Sequence, residues 1–226
     1  MEKSAESWTP PLDGEPVPWA AIEASLRIPQ RGPDPHKLNA RIPEQARRAA
    51  VAVVLWGDAR GARKLVLIQR GHTAPQHAGE LAFPGGMVES HDRDLPATAR
   101  RELAEELGVQ GDLWEIGCFP DGIAKAGTRF TPVLFRWEAA QPAFVPNHEV
   151  HAAQLVPLRP LMEAPWTTEE FHRHGFPLTV PRLELPDAPL WGATAYVLKA
   201  WLDVLERVIE KRESSSTDSA DVRRFQ

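Results

Sequence analysis

The apolar residues of this chain fall into blocks whose spacing changes from one block to the next. Ala49 to Trp56 (AAVAVVLW) and Lys64 to Arg70 (KLVLIQR) are nearly continuous apolar runs, separated by GDARGAR with its two glycines and a turn-forming aspartate. That pattern predicts a hairpin of two well-buried strands. Phe130 to Trp137 (FTPVLFRW) predicts a further strand, and His151 to Leu158 (HAAQLVPL) another that ends in proline. Leu95, Ala99, Leu103 and Leu107 recur at every fourth position and are followed by Gly108, which predicts a helix over Leu95 to Leu107 with a glycine cap. Ala193 to Lys211 places Ala193, Val197, Ala200, Trp201, Val204, Leu205 and Val208 on one stripe, predicting a terminal helix that packs on a sheet. Strands interleaved with helices in this order predict an α/β chain, a layered α/β/α sandwich around a mixed sheet.

Composition sets the limits of that body. With 226 residues, 42% of them hydrophobic, the chain can bury a sizeable core, and the length suits one domain with extensions. Its 22 prolines cluster early, at Pro10, Pro11, Pro16, Pro18, Pro29, Pro33, Pro35 and Pro43. Residues 1–46 therefore read as an extended arm around one short helix, Trp19 to Leu26, residues 47–211 as the folded domain, and residues 212–226, which contain SSSTDSADV, as a disordered tail. There is no internal repeat. A net charge of −5 offers no cationic field for nucleic acid, and the lone Cys118 calls for no oxidising compartment. The acidic, proline-rich N-terminus is unlike a secretory signal, and no apolar stretch approaches the ~20 residues needed to span a bilayer, so the expectation is a cytoplasmic protein without nucleic-acid or membrane partners.

Chemistry concentrates in Gly85 to Val109, GGMVESHDRDLPATARRELAEELGV. At about 100° per residue, Glu102, Glu105 and Glu106 share an arc of roughly 100° on the predicted helix. One reading is a solvated acidic face in which Arg101 pairs with Glu105 four residues on. The other is a site for a hard divalent cation, which takes oxygen ligands, served by Gly85 and Gly86, whose missing side chains let the backbone come close. HEVH at 148–151 is one residue short of the HExxH that sets two histidines on one helical face, which excludes a zinc protease of that type.

The segment resembles the Nudix box: glycine, five residues, glutamate, seven residues, then Arg-Glu-aliphatic-any-Glu-Glu-any-Gly-aliphatic. Arg101-Glu102-Leu103-Ala104-Glu105-Glu106-Leu107-Gly108-Val109 completes its second half. In the first half, five residues lead from Gly86 to Asp92, and eight then separate Asp92 from Arg101. The coenzyme A pyrophosphatase branch of the Nudix family has this longer spacing, acidic residues at both the Glu89 and Asp92 positions, and a pair like Thr98-Ala99. Arg70, His77, Gly79, Phe83, Pro84, Gly85 and Gly86 match its upstream motif, and Leu190-Trp191-Gly192-Ala193-Thr194-Ala195 is similar to its C-terminal element. The resemblance spans Arg47 to Leu205. Two positions depart from it: Gly71 stands where the branch has serine and Ala74-Pro75 where it has leucine-arginine, which leaves Arg70, His72 and His77 as replacement phosphate contacts.

What the resemblance implies is a Nudix-like α/β/α sandwich and a Mg²⁺- or Mn²⁺-dependent pyrophosphatase. Coenzyme A or a derivative would be cleaved to 3′,5′-ADP and 4′-phosphopantetheine without a covalent enzyme intermediate. Glu102, Glu105 and Glu106, with the Gly85 carbonyl, would hold the metal; Glu105 would orient or deprotonate water, and Arg101 would hold a glutamate in place. Arg70, His77 and Gly86 would contact substrate, and Glu149, just before a predicted strand, is the alternative base or ligand. Other nucleotides (a nucleotide sugar, a dinucleotide or a nucleoside triphosphate) and a non-catalytic nucleotide-binding module are the competing readings. The N-terminal arm would cap the site, pair two copies as a homodimer, or hang loose.

Overall fold

The structure, a computed structural model, describes residues 8–11, 16–28, 46–57, 61–71, 79–124, 128–173 and 176–222. The predicted hairpin forms as β1 (Arg48–Gly57) and β2 (Arg63–Arg70), antiparallel with Leu55 opposite Leu65. Beyond it come β3 (Leu81–Ala82) and β4 (Gly85–Met87), the helix α2 (Leu95–Leu107) that follows α1 (Trp19–Leu26), then β5 (Leu113–Cys118), β6 (Gly122–Ile123), β7 (Arg129–Trp137) and β8 (Val150–Pro157). These strands make one sheet in the order β3-β2-β1-β7-β5, with β4 also on β1, β6 on β7 and β8 on β2. The β1–β7 pair is parallel and the others are antiparallel, so the sheet is mixed. A short α3 (Leu158–Glu163), a smaller antiparallel sheet of β9 (Thr167–Arg173), β10 (Phe176–Glu184) and β11 (Pro189–Leu190), and the terminal α4 (Gly192–Val222) complete the chain.

The large sheet is covered on both faces, which is why β1 and β2 read as unbroken apolar runs. Successive residues of a strand point to opposite faces. Ala52, Val54, Val66, Ile68, Val133 and Phe135 meet Ala99, Leu103 and Leu107 of α2, whereas Val53, Leu55, Leu65, Leu67 and Leu134 share a core with Ile22 of α1 and Leu198, Trp201 and Leu205 of α4. The result is the α/β/α sandwich around a mixed sheet.

In the segment before residue 47, α1 has the predicted bounds and packs on the body: Val17, Ala21 and Ile22 are fully buried, and Trp201 Nε1–H donates to the buried Ser25 hydroxyl at 2.8 Å. The Arg63 and Arg136 guanidinium groups lie over the Trp19 ring, 4.7 and 4.8 Å from its centroid. An eight-residue helix has too little length to persist alone, so its apolar side is held by tertiary packing. At the other end, α4 runs through the segment expected to be disordered as far as Val222, because a helix anchored by a packed stripe extends at the cost of one residue per added hydrogen bond. Among the described residues no helix is long and apolar enough to cross a membrane.

Candidate active site

Local sequence fixes α2. The Asp94 carboxylate accepts the Ala97 N–H at 2.8 Å, Pro96 occupies the first turn, and Gly108 closes the helix at φ 67°, where its N–H reaches the Ala104 carbonyl. The inward stripe of Ala99, Leu103 and Leu107 is fully buried, which turns the Glu102–Glu106 face toward β4. There Ala50 of β1 pairs with Gly86 and Val51 with Gly85. Both glycines are required by close approach. A Cβ on Gly86 would stand 2.3 Å from Glu102 Oε1, and one on Gly85 would stand 2.5 Å from the Ala50 carbonyl oxygen.

Glu106 is only 3% exposed, and its Oε2 accepts the Gly85 N–H at 2.9 Å. Burial pushes its pKa up to about 8, with Glu102 and Glu149 adding like charge while the Gly85 N–H and the Arg70 cation act in the opposite sense. Glu102 is likewise raised above the ordinary carboxylate range, chiefly by burial, against the pull of Arg101. Glu149, immediately before β8, adds like charge to both acids. Arg70 ends β2 with its Nε buried and making no hydrogen bond among the described residues.

Arg101 organises the face. Its Nε and Nη2 donate to the two Asp92 oxygens at 3.0 and 3.1 Å, Nη1 donates to Glu102 at 2.9 Å and Glu105 at 3.1 Å, and Nη2 also reaches the Met87 carbonyl at 2.9 Å. Such a planar fork holds two carboxylate oxygens at once. The Asp92 side chain is buried and also accepts the Thr98 hydroxyl and the Glu89 N–H, each at 2.9 Å; Arg101 foremost, with these two bonds, holds it well below the usual carboxylate range against the opposing effect of burial. Glu89, the other acid of this loop, stands 3.6 Å from Arg101 Nη1.

The site residues named from the sequence are accordingly sorted. Gly85, Gly86, Arg101, Glu102 and Glu106 come together, Arg70 and Glu149 act on Glu106 through their charges, and Glu105 stands beside Arg101 on the solvent side, about half exposed. His77, with His72 and Ala74-Pro75, lies outside the described residues. Arg101 has more to hold than the glutamates expected of it: its bidentate partner is Asp92. Thr98 and Asn147 were not singled out for the site, and only the box spacing pointed at Asp92.

Oxygen ligands on a rigid helix facing a glycine turn suit a hard divalent cation. Like charges at this spacing repel, however: Glu102 and Glu105 share Arg101 Nη1, while Glu106 takes the Gly85 N–H. Among the described residues no three His, Cys, Asp or Glu side chains converge on one centre.

Comparison with known proteins bears on the same segment. The NUDIX domain pattern matches residues 46–178. Nudix hydrolase 22, chloroplastic, of Arabidopsis thaliana is 29% identical over 163 residues, 67% of this chain and 53% of its own, so this chain spans about half the length of that relative. An uncharacterized Nudix hydrolase, NudL, of Yersinia pestis (strain Pestoides F) is 28% identical over 155 residues, 68% of this chain and 77% of its own. Among solved structures, a Nudix hydrolase from M. Smegmatis, RenU, aligns at a TM-score of 0.45 and 20% identity over 76% of this chain and 86% of its own.

Proposed function

Because the chain belongs to the NUDIX domain family, we propose that it is a pyrophosphohydrolase that requires a divalent cation and cleaves the diphosphate of a nucleoside diphosphate derivative, with coenzyme A or a close derivative as substrate. The observation that carries this reading is the seating of α2 on the glycine turn. Glu102 and Glu106 lie against Gly86 and Gly85, and burial makes their negative charge costly, a cost that a bound cation offsets. Mg²⁺ or Mn²⁺, held by Glu102, Glu105, Glu106 and the Gly85 carbonyl, would neutralise charge on the diphosphate and acidify water.

The chain's own groups supply the rest. Arg101 orients Glu102 and Glu105 while Asp92 holds Arg101, so the acidic face is set before substrate arrives. Arg70, whose Nε makes no hydrogen bond among the described residues and whose charge acts on Glu106, would take a phosphate oxygen, and Gly86 would admit substrate close to the main chain. Water attacks one phosphorus, the bond from that phosphorus to the bridging oxygen breaks, and the proton released goes to Glu105 or, in the second assignment, to Glu149. Two phosphorylated products leave.

Coenzyme A is favoured by the acidic pair Glu89 and Asp92 on the longer loop and by the C-terminal element. Leu190 belongs to β11, which packs on β3 beside the glycine turn, and Asp187 just before it accepts from Gln154 at 2.8 Å. The deciding experiment incubates the protein with Mg²⁺ and, separately, coenzyme A, ADP-ribose, NADH and a nucleoside triphosphate, resolving products by chromatography. Preferred conversion of coenzyme A to 3′,5′-ADP and 4′-phosphopantetheine supports the proposal. Cleavage of another diphosphate with coenzyme A intact removes that substrate and keeps the chemistry, and binding without turnover of any of them leaves a nucleotide-binding module.

A further inference from the structure

The loop that carries Glu149 is tied to α2 through main-chain bonds. Val145 N–H donates to the Leu107 carbonyl at 2.8 Å and Asn147 N–H to the Glu106 carbonyl at 3.0 Å. These are carbonyls of the last turn, which lack partners inside the helix. Asn147 then turns the chain: its Oδ1 accepts the Glu149 N–H at 2.8 Å and its carbonyl accepts the Val150 N–H at 3.3 Å. Asparagine readily makes this side-chain turn to the residue two positions on. From the other side, the Glu149 carbonyl accepts the Gly71 N–H at 2.7 Å, next to Arg70. An exposed glutamate is thus fixed at both of its main-chain polar groups, one tied toward α2 and the other to the end of β2. Its charge reaches Glu102 and Glu106.

We infer that Asn147 is a positioning residue whose Oδ1 bond to the Glu149 N–H sets where the Glu149 carboxylate stands over the Glu102–Glu106 face of α2. The inference rests on the reading of Glu149 as part of the active site. Alanine at 147 keeps the main-chain tie to Glu106 and deletes only the acceptor. Serine restores a neutral acceptor that makes the same kind of turn.

The test uses Mn²⁺ binding to the full chain, followed by electron paramagnetic resonance without substrate, beside thermal denaturation. Glu149→Gln is expected to weaken Mn²⁺ about tenfold, the low end for groups that tune metal ligands. Asn147→Ala should weaken it by about three- to tenfold, Asn147→Ser should restore most of that, and Asn147→Ala should add nothing in the Glu149→Gln background, as for two residues acting through one contact. If any of the probe substrates is turned over, kcat should follow the same order with KM little changed. Unchanged Mn²⁺ binding in Asn147→Ala, or a full additional loss in the Glu149→Gln background, overturns the role of Asn147 while leaving Glu149 in place. Parent-like binding by Glu149→Gln overturns the placement of Glu149, and this inference with it. Should Asn147→Ala not fold, Asn147→Gln, whose amide sits one methylene further out, carries the same comparison.

Discussion

Two adjacent glycines permit a sharp test, because the same added methyl group meets different neighbours. In Gly86→Ala the new Cβ would lie 2.3 Å from Glu102 Oε1 and 2.5 Å from its Cδ, the end of a flexible side chain. Glu102 would have to swing away and give up the 2.9 Å bond from Arg101. A hydrogen bond to a charged group contributes about 1.5–3 kcal/mol, and Glu102 keeps some access to water, so the low end applies. That is a fall in Tm of about 3–6 °C for a chain of this size. Cation binding should suffer far more, by at least about tenfold, since one of the proposed ligands has left its place. In Gly85→Ala the methyl group would meet the Ala50 carbonyl oxygen at 2.5 Å and Val51 Cα at 2.7 Å, main-chain atoms of the central strand, from a backbone with φ +156°. The β1–β4 pairing would have to open, and a loss of more than about 4 kcal/mol is expected, as for other severe core disruptions. Differential scanning fluorimetry of both variants, with calorimetric titration of Mn²⁺ into the one that folds, separates the two effects. Gly86→Ala that unfolds as readily as Gly85→Ala, or that binds Mn²⁺ as tightly as the parent, would refute the reasoning.

Other expectations follow from the same geometry. Arg101→Lys keeps the charge but cannot fork onto both Asp92 oxygens while reaching Glu102 and Glu105, so turnover should fall by about 10- to 100-fold with a Tm drop of a few degrees; steady-state kinetics and melting curves check both. Glu106 binds its proton more tightly in the folded chain than in the unfolded one, so in a chelator-treated sample its contribution to stability is fully present near pH 4 and is lost as pH rises through about 8. Urea titrations between pH 5 and 8.5 should show that decline, Glu106→Gln should flatten it, and added Mg²⁺ should stabilise more at the alkaline end. Ile22→Ala, in the helix of the proline-rich segment, should cost about 2–4 kcal/mol because the side chain is fully buried against α4; a loss below about 1 kcal/mol by urea denaturation would mean that the segment is only loosely attached.

What was legible in the sequence was whatever short-range chemistry decides. Asp94, Pro96 and Gly108 bound α2 at both ends, and its four-residue stripe had to face a core, so the helix lies where the pattern puts it. The paired apolar runs could only be doubly covered strands. The three glutamates on one face were equally plain, because helical periodicity alone groups them, whereas the glycine pair meets them only through the pairing of β4 with β1. Strands that lean on partners were not: β10 carries Pro177 and Pro181 and is held by β9 and β11, and the register of β5 against β7 shifts between Glu115 and Gly117. Nor could spacing say that Asp92 seats Arg101, that Asn147 ties the Glu149 loop to the end of α2, or that the proline-rich segment completes one core. Those contacts join residues far apart in the chain or on different elements, and their energies exist only once the sheet has brought the elements together. Burial, which sets the proton affinity of Glu106, belongs to the folded chain as a whole and to no local run of residues.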